Sequence, residues 1–261
     1  MYFKYNDINL YYEKYGNGEK KLVILPGWGD TRKTFKYLIE LLKDFYTVYI
    51  VDYPGFGNST FPERDLTIYD YSDLIYEWIN YLELEDPVLI GHSFGSRIII
   101  TLTGYYNYHF SKVIIIDGAG IKPKKSFKKN LRSTLYKFLK ALKVILPSKV
   151  RSKYLKYLFN LFASDDYKML PVKMQKTFVN IVNEDLLFYL TDIKSKVLLI
   201  WGSNDQATPV SDCYIMSKKI RNNEMIILDN LGHFPYLDNH ILIFKIIIAE
   251  LDWLLTVTIV L

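Results

Sequence analysis

The stretch Val88–Ser96 reads VLIGHSFGS and is the strongest fold signal in the chain. Its first residues form an apolar run typical of a buried strand, and the residues from Phe94 to Tyr105 follow as a predicted helix. The turn between them has the pattern G-x-S-x-G, in which flanking glycines leave room for a strained strand-to-helix connection. The stretch therefore predicts that Ser93 presents its hydroxyl at the end of a central strand.

The rest of the chain extends this strand-then-helix pattern. Short β-branched runs alternate with segments of helical period, which predicts a mostly parallel sheet flanked by helices. Strands are predicted at 9–15, 22–25, 47–51, 87–90, 113–116, 197–201 and 225–228. Helices are predicted at 34–42, 67–82, 94–105, 208–220 and 239–254. Thr67 with Asp70, and Thr208 before Pro209, are predicted as helix N-caps.

The alternation stops between residues 121 and 192, where the patterns are helical without a strand signal. The predicted organisation is an α/β core of residues 1–120 and 193–261, with a helical cap insert of residues 121–192. The apolar faces of the insert helices either pack within the protein or form an acyl-chain tunnel or a lipid-facing lid.

A serine needs a base to act as a nucleophile, and the base needs a third group that holds its tautomer. Asp205 and His233 each follow a predicted strand, so both lie at the carboxyl ends of strands, where such sheets place their sites. We therefore predict Ser93 as nucleophile, His233 as general base and Asp205 as the orienting acid. Asp117 also ends a strand downstream of Ser93, and it remains an alternative acid.

Two backbone N–H groups are predicted to form an oxyanion hole. The first donor is the N–H of Phe94, which lies at the N-terminus of the predicted helix beside the nucleophile. The second donor is the N–H of Trp28, in the loop PGWGD that follows the strand 22–25, where Gly27 allows a close approach. The side chains of Trp28, Phe94 and Phe234 are predicted to line the substrate-binding surface.

The remaining histidines and the single cysteine indicate no other chemistry. We expect His92 to pack beside the turn, and His109 and His240 to lie at the surface. The histidines show no HExxH spacing, and Cys213 has no partner for a disulfide. No metal site is therefore expected.

Five segments together carry a resemblance to a known family. They are LPGWG at 25–29, DYPGFGNS at 52–59, GHSFG at 91–95, WGSND at 201–205 and GHF at 232–234. In this order they resemble the α/β-hydrolase fold family that holds small bacterial carboxylesterases. The resemblance implies a cofactor-free serine hydrolase with a helical cap, in which Asp52 and its glycine turn support structure. Pro26 stands where the family commonly has histidine, which should alter loop packing and leave the backbone donor in place.

The charge distribution is uneven. Formal net charge is +5, but residues 121–160 contain 13 Lys or Arg and no Asp or Glu. This basic insert is either a solvated lysine-rich face or an attractor of anionic substrates or anionic surfaces. Nucleic acid is not an expected partner, since no binding module accompanies the charge.

The sequence also bears on location and assembly. The first 25 residues carry charges throughout, and the longest uncharged run, 98–111, is short of a membrane span. We therefore expect a cytoplasmic protein that is a monomer or a small homo-oligomer.

The predicted reaction is cleavage of small to medium carboxylic esters through an acyl-enzyme. The alternatives are C–C bond hydrolysis, or another reaction of a carbonyl substrate, by the same triad, and a ligand-sensing role without catalysis.

Overall fold

An eight-stranded sheet organises the chain. The computed structural model describes residues 1–122, 136, 139–141, 143, 147–162, 167 and 170–252. Its strands are β1 (Tyr2–Tyr5), β2 (Ile8–Tyr15), β3 (Lys21–Leu25), β4 (Thr47–Asp52), β5 (Val88–His92), β6 (Lys112–Ile116), β7 (Lys196–Gly202) and β8 (Asn223–Leu228). The strand order is β1-β2-β4-β3-β5-β6-β7-β8, and every pair from β4 to β8 is parallel. The predicted mostly parallel α/β sheet is confirmed.

The antiparallel edge contains the one strand that the sequence patterns missed. β2 pairs antiparallel with both β1 and β4. Within β1 only Phe3 is buried, so the strand lacks the apolar run that marks the others. The central strands are buried on both faces, as parallel strands covered by helices are, and their sequences are nearly continuous apolar runs.

The described part of the chain also contains α-helices. They are α1 (Lys36–Leu42), α2 (Ile68–Tyr81), α3 (Phe94–Ile100), α4 (Ser148–Phe162), α5 (Val172–Asn183), α6 (Val210–Lys219), α7 (Pro235–Asp238) and α8 (His240–Leu251). A π-helical turn, Thr101–Tyr105, extends α3, and a 3₁₀ helix spans Leu187–Asp192. Residues 253 and 254 of the predicted last helix lie outside the described residues.

Two helix starts test the predicted caps. At α2, Thr67 and Asp70 form the predicted capping box, in which each side chain bonds the backbone N–H of the other. The predicted cap at Thr208 is wrong. Pro209 precedes the first residue of α6, and the Thr208 hydroxyl instead lies 2.6 Å from the Asp205 carboxylate at the end of the sheet.

The chain divides into two compact units. The first comprises Met1–Ile121 and Glu184–Leu261, and the second comprises Lys122–Asn183. The 3₁₀ helix therefore belongs to the first unit, and the described part of the second unit contains α4 and α5. The role of residues 121–192 as a cap stays a prediction. No helix in the described part of the chain is long and apolar enough to cross a membrane.

A buried carboxylate closes the turn after β4. The Asp52 carboxylate accepts hydrogen bonds from the side chain of Arg32 and from the backbone N–H of Asn58. A Cβ atom on Gly57, which has a φ of 53°, would overlap the same carboxylate. Asp52 therefore holds the glycine turn together, consistent with the supporting role implied by the resemblance.

Candidate active site

Ser93 occupies a strained turn between β5 and α3. Its φ of 47° and ψ of −108° lie in a region that costs a non-glycine residue about 1–3 kcal/mol. Hydrogen bonds hold the turn: the Ser93 N–H donates to the carbonyl of Ile116, and its carbonyl accepts from the hydroxyl of Ser96 and the N–H of Ala119. This backbone leaves the Ser93 side chain half-exposed at the end of the central strand.

The flanking glycines fit the predicted steric requirement. A Cβ atom on Gly95 would overlap the carbonyl oxygen of Leu25, at the end of β3. A Cβ atom on Gly91 would lie 2.7 Å from the side chain of Ile99 and 2.8 Å from the carbonyl carbon of Gly95. Strand and helix can therefore approach this closely only when both positions lack side chains.

Asp205 and His233 meet at the carboxyl end of the sheet. Asp205 follows β7 and His233 follows β8, and His233 Nδ1 lies 2.8 Å from Asp205 Oδ2. The other carboxylate oxygen accepts the backbone N–H groups of Ala207 and Thr208, at 2.7 and 3.0 Å. The Thr208 hydroxyl lies 2.6 Å from Oδ2.

These bonds decide the charge of Asp205. Burial opposes its ionisation, but the bonds from His233 and Thr208 outweigh burial and lower the pKa of Asp205 to about 2. An ionised carboxylate only accepts hydrogen bonds, so His233 carries a proton on Nδ1. The ring nitrogen left without a proton in this tautomer is Nε2.

Ser93 is not hydrogen-bonded to His233 in the described structure. The residue before Ser93 does contact the loop of His233, since the rings of His92 and His233 lie 4.8 Å apart between centroids. Catalytic hydrogen bonds are often long before substrate binds. The structure thus joins Asp205 to His233 and brings the turn of Ser93 beside them.

Asp117, the alternative acid, is buried close to Asp205 but makes no hydrogen bond to His233. It accepts the N–H of Gly202 at 2.9 Å. Burial raises the pKa of Asp117 to about 9; the bond from Gly202 opposes the shift, and the Asp205 carboxylate reinforces it. Asp117 is therefore neutral near pH 7, and the geometry favours Asp205 as the partner of His233.

Asp117, Asp205 and His233 also place ligand-type atoms within 4.8 Å of one another. A cation bound there through His233 Nδ1 would have to break the 2.8 Å bond to Asp205 and ionise Asp117. The same atoms already form a complete acid–base pair. The arrangement is better suited to holding a proton on His233 than to holding a metal ion.

His92 does more than the packing predicted for it. The ring is buried, and its Nε2 lies 2.7 Å from the carbonyl oxygen of His233. Its Nδ1 lies 3.1 Å from the hydroxyl of Tyr236, which is also 3.3 Å from Asp30 Oδ2. No sequence pattern indicates these contacts, because they join residues as far as 206 positions apart. His109 is exposed and His240 half-exposed, on other parts of the surface.

The loop of the second predicted oxyanion donor packs against the turn of Ser93. A Cβ atom on Gly27 would lie 2.9 Å from Asp30 Oδ2 and 2.9 Å from His92 Nδ1. Beyond Gly27, the Trp28 ring meets the Phe94 ring edge-on, with centroids 5.2 Å apart. These contacts place the loop of Trp28 next to His92 and Phe94, the residues on either side of Ser93.

The three residues predicted to contact substrate differ in exposure. The Phe94 side chain is buried against Tyr53 and Tyr71, so its ring has little surface to offer a substrate. The Trp28 ring is half-exposed. Phe234 is 37% exposed and lies 5.1 Å from the His233 ring, which places an aromatic surface beside the predicted base.

Comparison with known proteins identifies the family. Residues 20–240 match the model of the alpha/beta hydrolase fold family, and the chain belongs to that family. It is similar to the pimeloyl-[acyl-carrier protein] methyl ester esterase of Wigglesworthia glossinidia brevipalpis, with 29% identity over 89% of this chain and 93% of that protein. The chain is thus an enzyme of the α/β-hydrolase class with bacterial esterases among its relatives.

Solved structures share the same fold. A membrane phospholipase A superposes with a TM-score of 0.75 at 19% identity, covering 97% of this chain and 85% of that one. An esterase from Exiguobacterium antarcticum superposes with a TM-score of 0.74 at 22% identity, covering 95% and 98%. At these identities the likeness concerns the fold, and the substrate has to be argued from the site.

Proposed function

We propose that the protein hydrolyses carboxylic esters of small to medium acyl chains, with Ser93 as nucleophile, His233 as general base and Asp205 as the orienting acid. The observation that carries this proposal is the 2.8 Å bond from His233 Nδ1 to the ionised Asp205, beside the strained turn of Ser93. This bond orients the imidazole and stabilises the positive charge that it acquires.

Acylation uses these groups in order. The Ser93 oxygen attacks the ester carbonyl carbon while His233 Nε2 takes the hydroxyl proton. The N–H groups of Trp28 and Phe94 stabilise the oxygen that becomes negatively charged. The C–O bond of the ester then breaks, and the leaving alkoxide receives the proton from His233. An acyl group on Ser93 and a free alcohol result.

Deacylation repeats the sequence with water. His233 takes a proton from water, whose oxygen attacks the acyl carbon, and the bond to Ser93 breaks as the serine oxygen recovers that proton. The products are a carboxylic acid and the free enzyme. Asp205 keeps the tautomer of His233 correct for both halves of the cycle.

The surface beside the site supports an uncharged acyl group. Trp28 and Phe234 are the aromatic side chains with exposed surface near the proposed oxyanion donors and base. The similarity to a pimeloyl methyl ester esterase adds methyl esters of acyl chains to the substrates that should be examined. No observation in the described part of the chain favours C–C bond hydrolysis or ligand sensing over ester cleavage.

The test is a panel of p-nitrophenyl esters of increasing acyl length, together with methyl esters followed by proton release. Ser93→Ala should abolish turnover and labelling by a fluorophosphonate, while Ser211→Ala, an exposed serine on α6, should change neither. His233→Ala should do the same as Ser93→Ala, with the exposed His109→Ala as its matched control.

Two results would overturn the proposal. Wild-type protein that neither turns over any ester nor reacts with the fluorophosphonate would exclude an active serine hydrolase. Turnover that persists in Ser93→Ala would exclude Ser93 as the nucleophile. Turnover of a C–C substrate without ester turnover would favour the alternative reaction of the same triad.

A further inference from the structure

The basic insert contains a helix with apolar side chains on its exposed surface. On α4, Val150, Tyr157 and Leu161 are 49%, 64% and 49% exposed. They are separated by seven and four residues, which places them on one face of a helix. Leu158, the residue after Tyr157, is buried.

A lysine lies beside the stripe, because Lys153 is three residues after Val150 and four before Tyr157. Lys153 and Lys156 are exposed on the same helix, within a 40-residue stretch that has 13 Lys or Arg and no acidic residue. A lysine-rich face that is only solvated would not require exposed apolar side chains. A small anionic substrate would not require apolar side chains along most of a helix. An exposed apolar stripe next to lysines matches helices that lie in the interface of an anionic bilayer.

We propose that α4, with its stripe of Val150, Tyr157 and Leu161, is a docking surface for anionic phospholipid membranes. The lysines contact the headgroups, and the apolar side chains enter the boundary between headgroups and acyl chains. Tyr157 suits this boundary, because its ring is apolar and its hydroxyl is polar. This contact would hold the enzyme at a membrane surface, and it does not depend on the ester reaction.

The test is co-sedimentation of the full chain with vesicles of phosphatidylcholine alone or with about one-third phosphatidylglycerol. Binding should need phosphatidylglycerol and fall as ionic strength rises. Lys153→Gln with Lys156→Gln should weaken binding about 25-fold, about fivefold for each lysine. The matched control is Lys218→Gln with Lys219→Gln on α6, which should bind as wild type does.

A second pair of variants tests the apolar stripe. Val150→Ser with Tyr157→Ser should weaken binding to the same vesicles at least tenfold, whereas Val172→Ser, 82% exposed on α5, should not. Turnover of a soluble ester should stay unchanged in each variant, which shows that it is folded.

Three outcomes would overturn this proposal. They are equal binding to both vesicle types, binding that ignores the lysine substitutions, and binding that ignores the apolar substitutions. If poly-L-glutamate binds as tightly as the vesicles and the apolar substitutions change nothing, the surface recognises acidic macromolecules by charge alone.

A second inference concerns His92 and rests on the proposed function. A carbonyl oxygen only accepts hydrogen bonds, so the 2.7 Å contact with the His233 carbonyl requires a proton on His92 Nε2. Burial lowers the pKa of His92, which leaves Nδ1 unprotonated to face the Tyr236 hydroxyl at 3.1 Å.

His92 thereby touches three loops of the site. It is adjacent to Ser93 in the chain, it bonds the backbone of His233, and its Nδ1 lies 3.6 Å from Asp30 in the loop of Trp28. We infer that His92 is a positioning residue, which holds the backbone of the proposed general base His233 in place relative to Ser93.

The test compares two substitutions of His92. His92→Leu removes the donor and should lower kcat about 10- to 100-fold with KM changed less than about threefold, since small misplacements of catalytic groups have effects of this size. His92→Gln keeps an N–H donor and should recover most of kcat. Rates are normalised to the protein that a fluorophosphonate labels on complete reaction, so loss of folded protein does not count as loss of kcat.

The outcomes separate this inference from the proposed function. A wild-type protein without ester turnover would overturn the proposed function itself. An active wild type with His92→Leu equal to it, or with His92→Gln no better than His92→Leu, would overturn the positioning role alone.

Discussion

Replacing Asp205 by asparagine tests which carboxylate serves the general base. In the structure one Asp205 oxygen accepts two backbone N–H groups, while the other faces His233 Nδ1. The amide oxygen of asparagine will keep the two backbone bonds, so its NH₂ group will face His233. A donor at that point favours the tautomer with the proton on Nε2, which cannot accept the proton of Ser93.

The expected loss follows from charge and tautomer together. Opposite charges about 4 Å apart interact by about 4 kcal/mol at an effective dielectric of about 20, which corresponds to about a thousandfold in rate. The wrong tautomer adds to this loss, and the same substitution in an unrelated serine protease costs about 10⁴-fold in kcat. We expect Asp205→Asn to lower kcat about 10³- to 10⁴-fold.

The assay is kcat for the best ester of the panel, with Asp229→Asn, an exposed residue of the loop after β8, as the matched control. The control should keep wild-type kcat. If Asp205→Asn keeps more than about a tenth of kcat while Asp117→Asn loses it, the reasoning is wrong and Asp117 is the acid.

The remaining predictions concern stability and reactivity. The pKa of Asp117 is raised to about 9, so its contribution to the free energy of unfolding is full below about pH 4 and is lost as the pH rises toward 9, by at most about 1.4 kcal/mol per pH unit. In urea unfolding, the free energy of unfolding of Asp117→Asn should therefore decline less between pH 5 and 8 than that of wild type. An equal decline would contradict this. Gly95→Ala should destabilise the protein by about 3 kcal/mol or more because its Cβ would overlap the Leu25 carbonyl, whereas Gly232→Ala, with no atom within 4 Å of its Cβ, should change the thermal midpoint little. Burial raises the pKa of the Cys213 thiol to about 12, so a disulfide reagent at pH 8 should label it only after unfolding, and rapid labelling of the native protein would show that the thiol is accessible.

Local patterns were enough for most of the sheet and for the turn of Ser93. Apolar runs predict strands because a strand covered on both faces buries every side chain, and β3 and β5 to β7 are such strands. β1 was missed because only Phe3 in it is buried. The capping box at Thr67 was predictable, since it joins residues three positions apart.

The predicted cap at Thr208 failed for the opposite reason. The motif of threonine followed by proline is local, but the hydroxyl lies within hydrogen-bonding distance of Asp205 and of the Asp117 carbonyl, 91 positions away. A propensity rule cannot weigh a local cap against a buried acceptor supplied by another strand. The same limit explains why His92 was assigned to packing alone.

The sequence motifs were sufficient for the family and for the strand–turn–helix at Ser93, because the turn depends on residues adjacent in the chain. The preference for Asp205 over Asp117, the neutral state of Asp117 and the contacts of His92 depend on burial and on partners 28 to 144 residues apart. Only folding brings those partners to one end of the sheet, where burial raises the pKa of both carboxylates and only Asp205 has hydrogen bonds, from His233 and Thr208, that outweigh it.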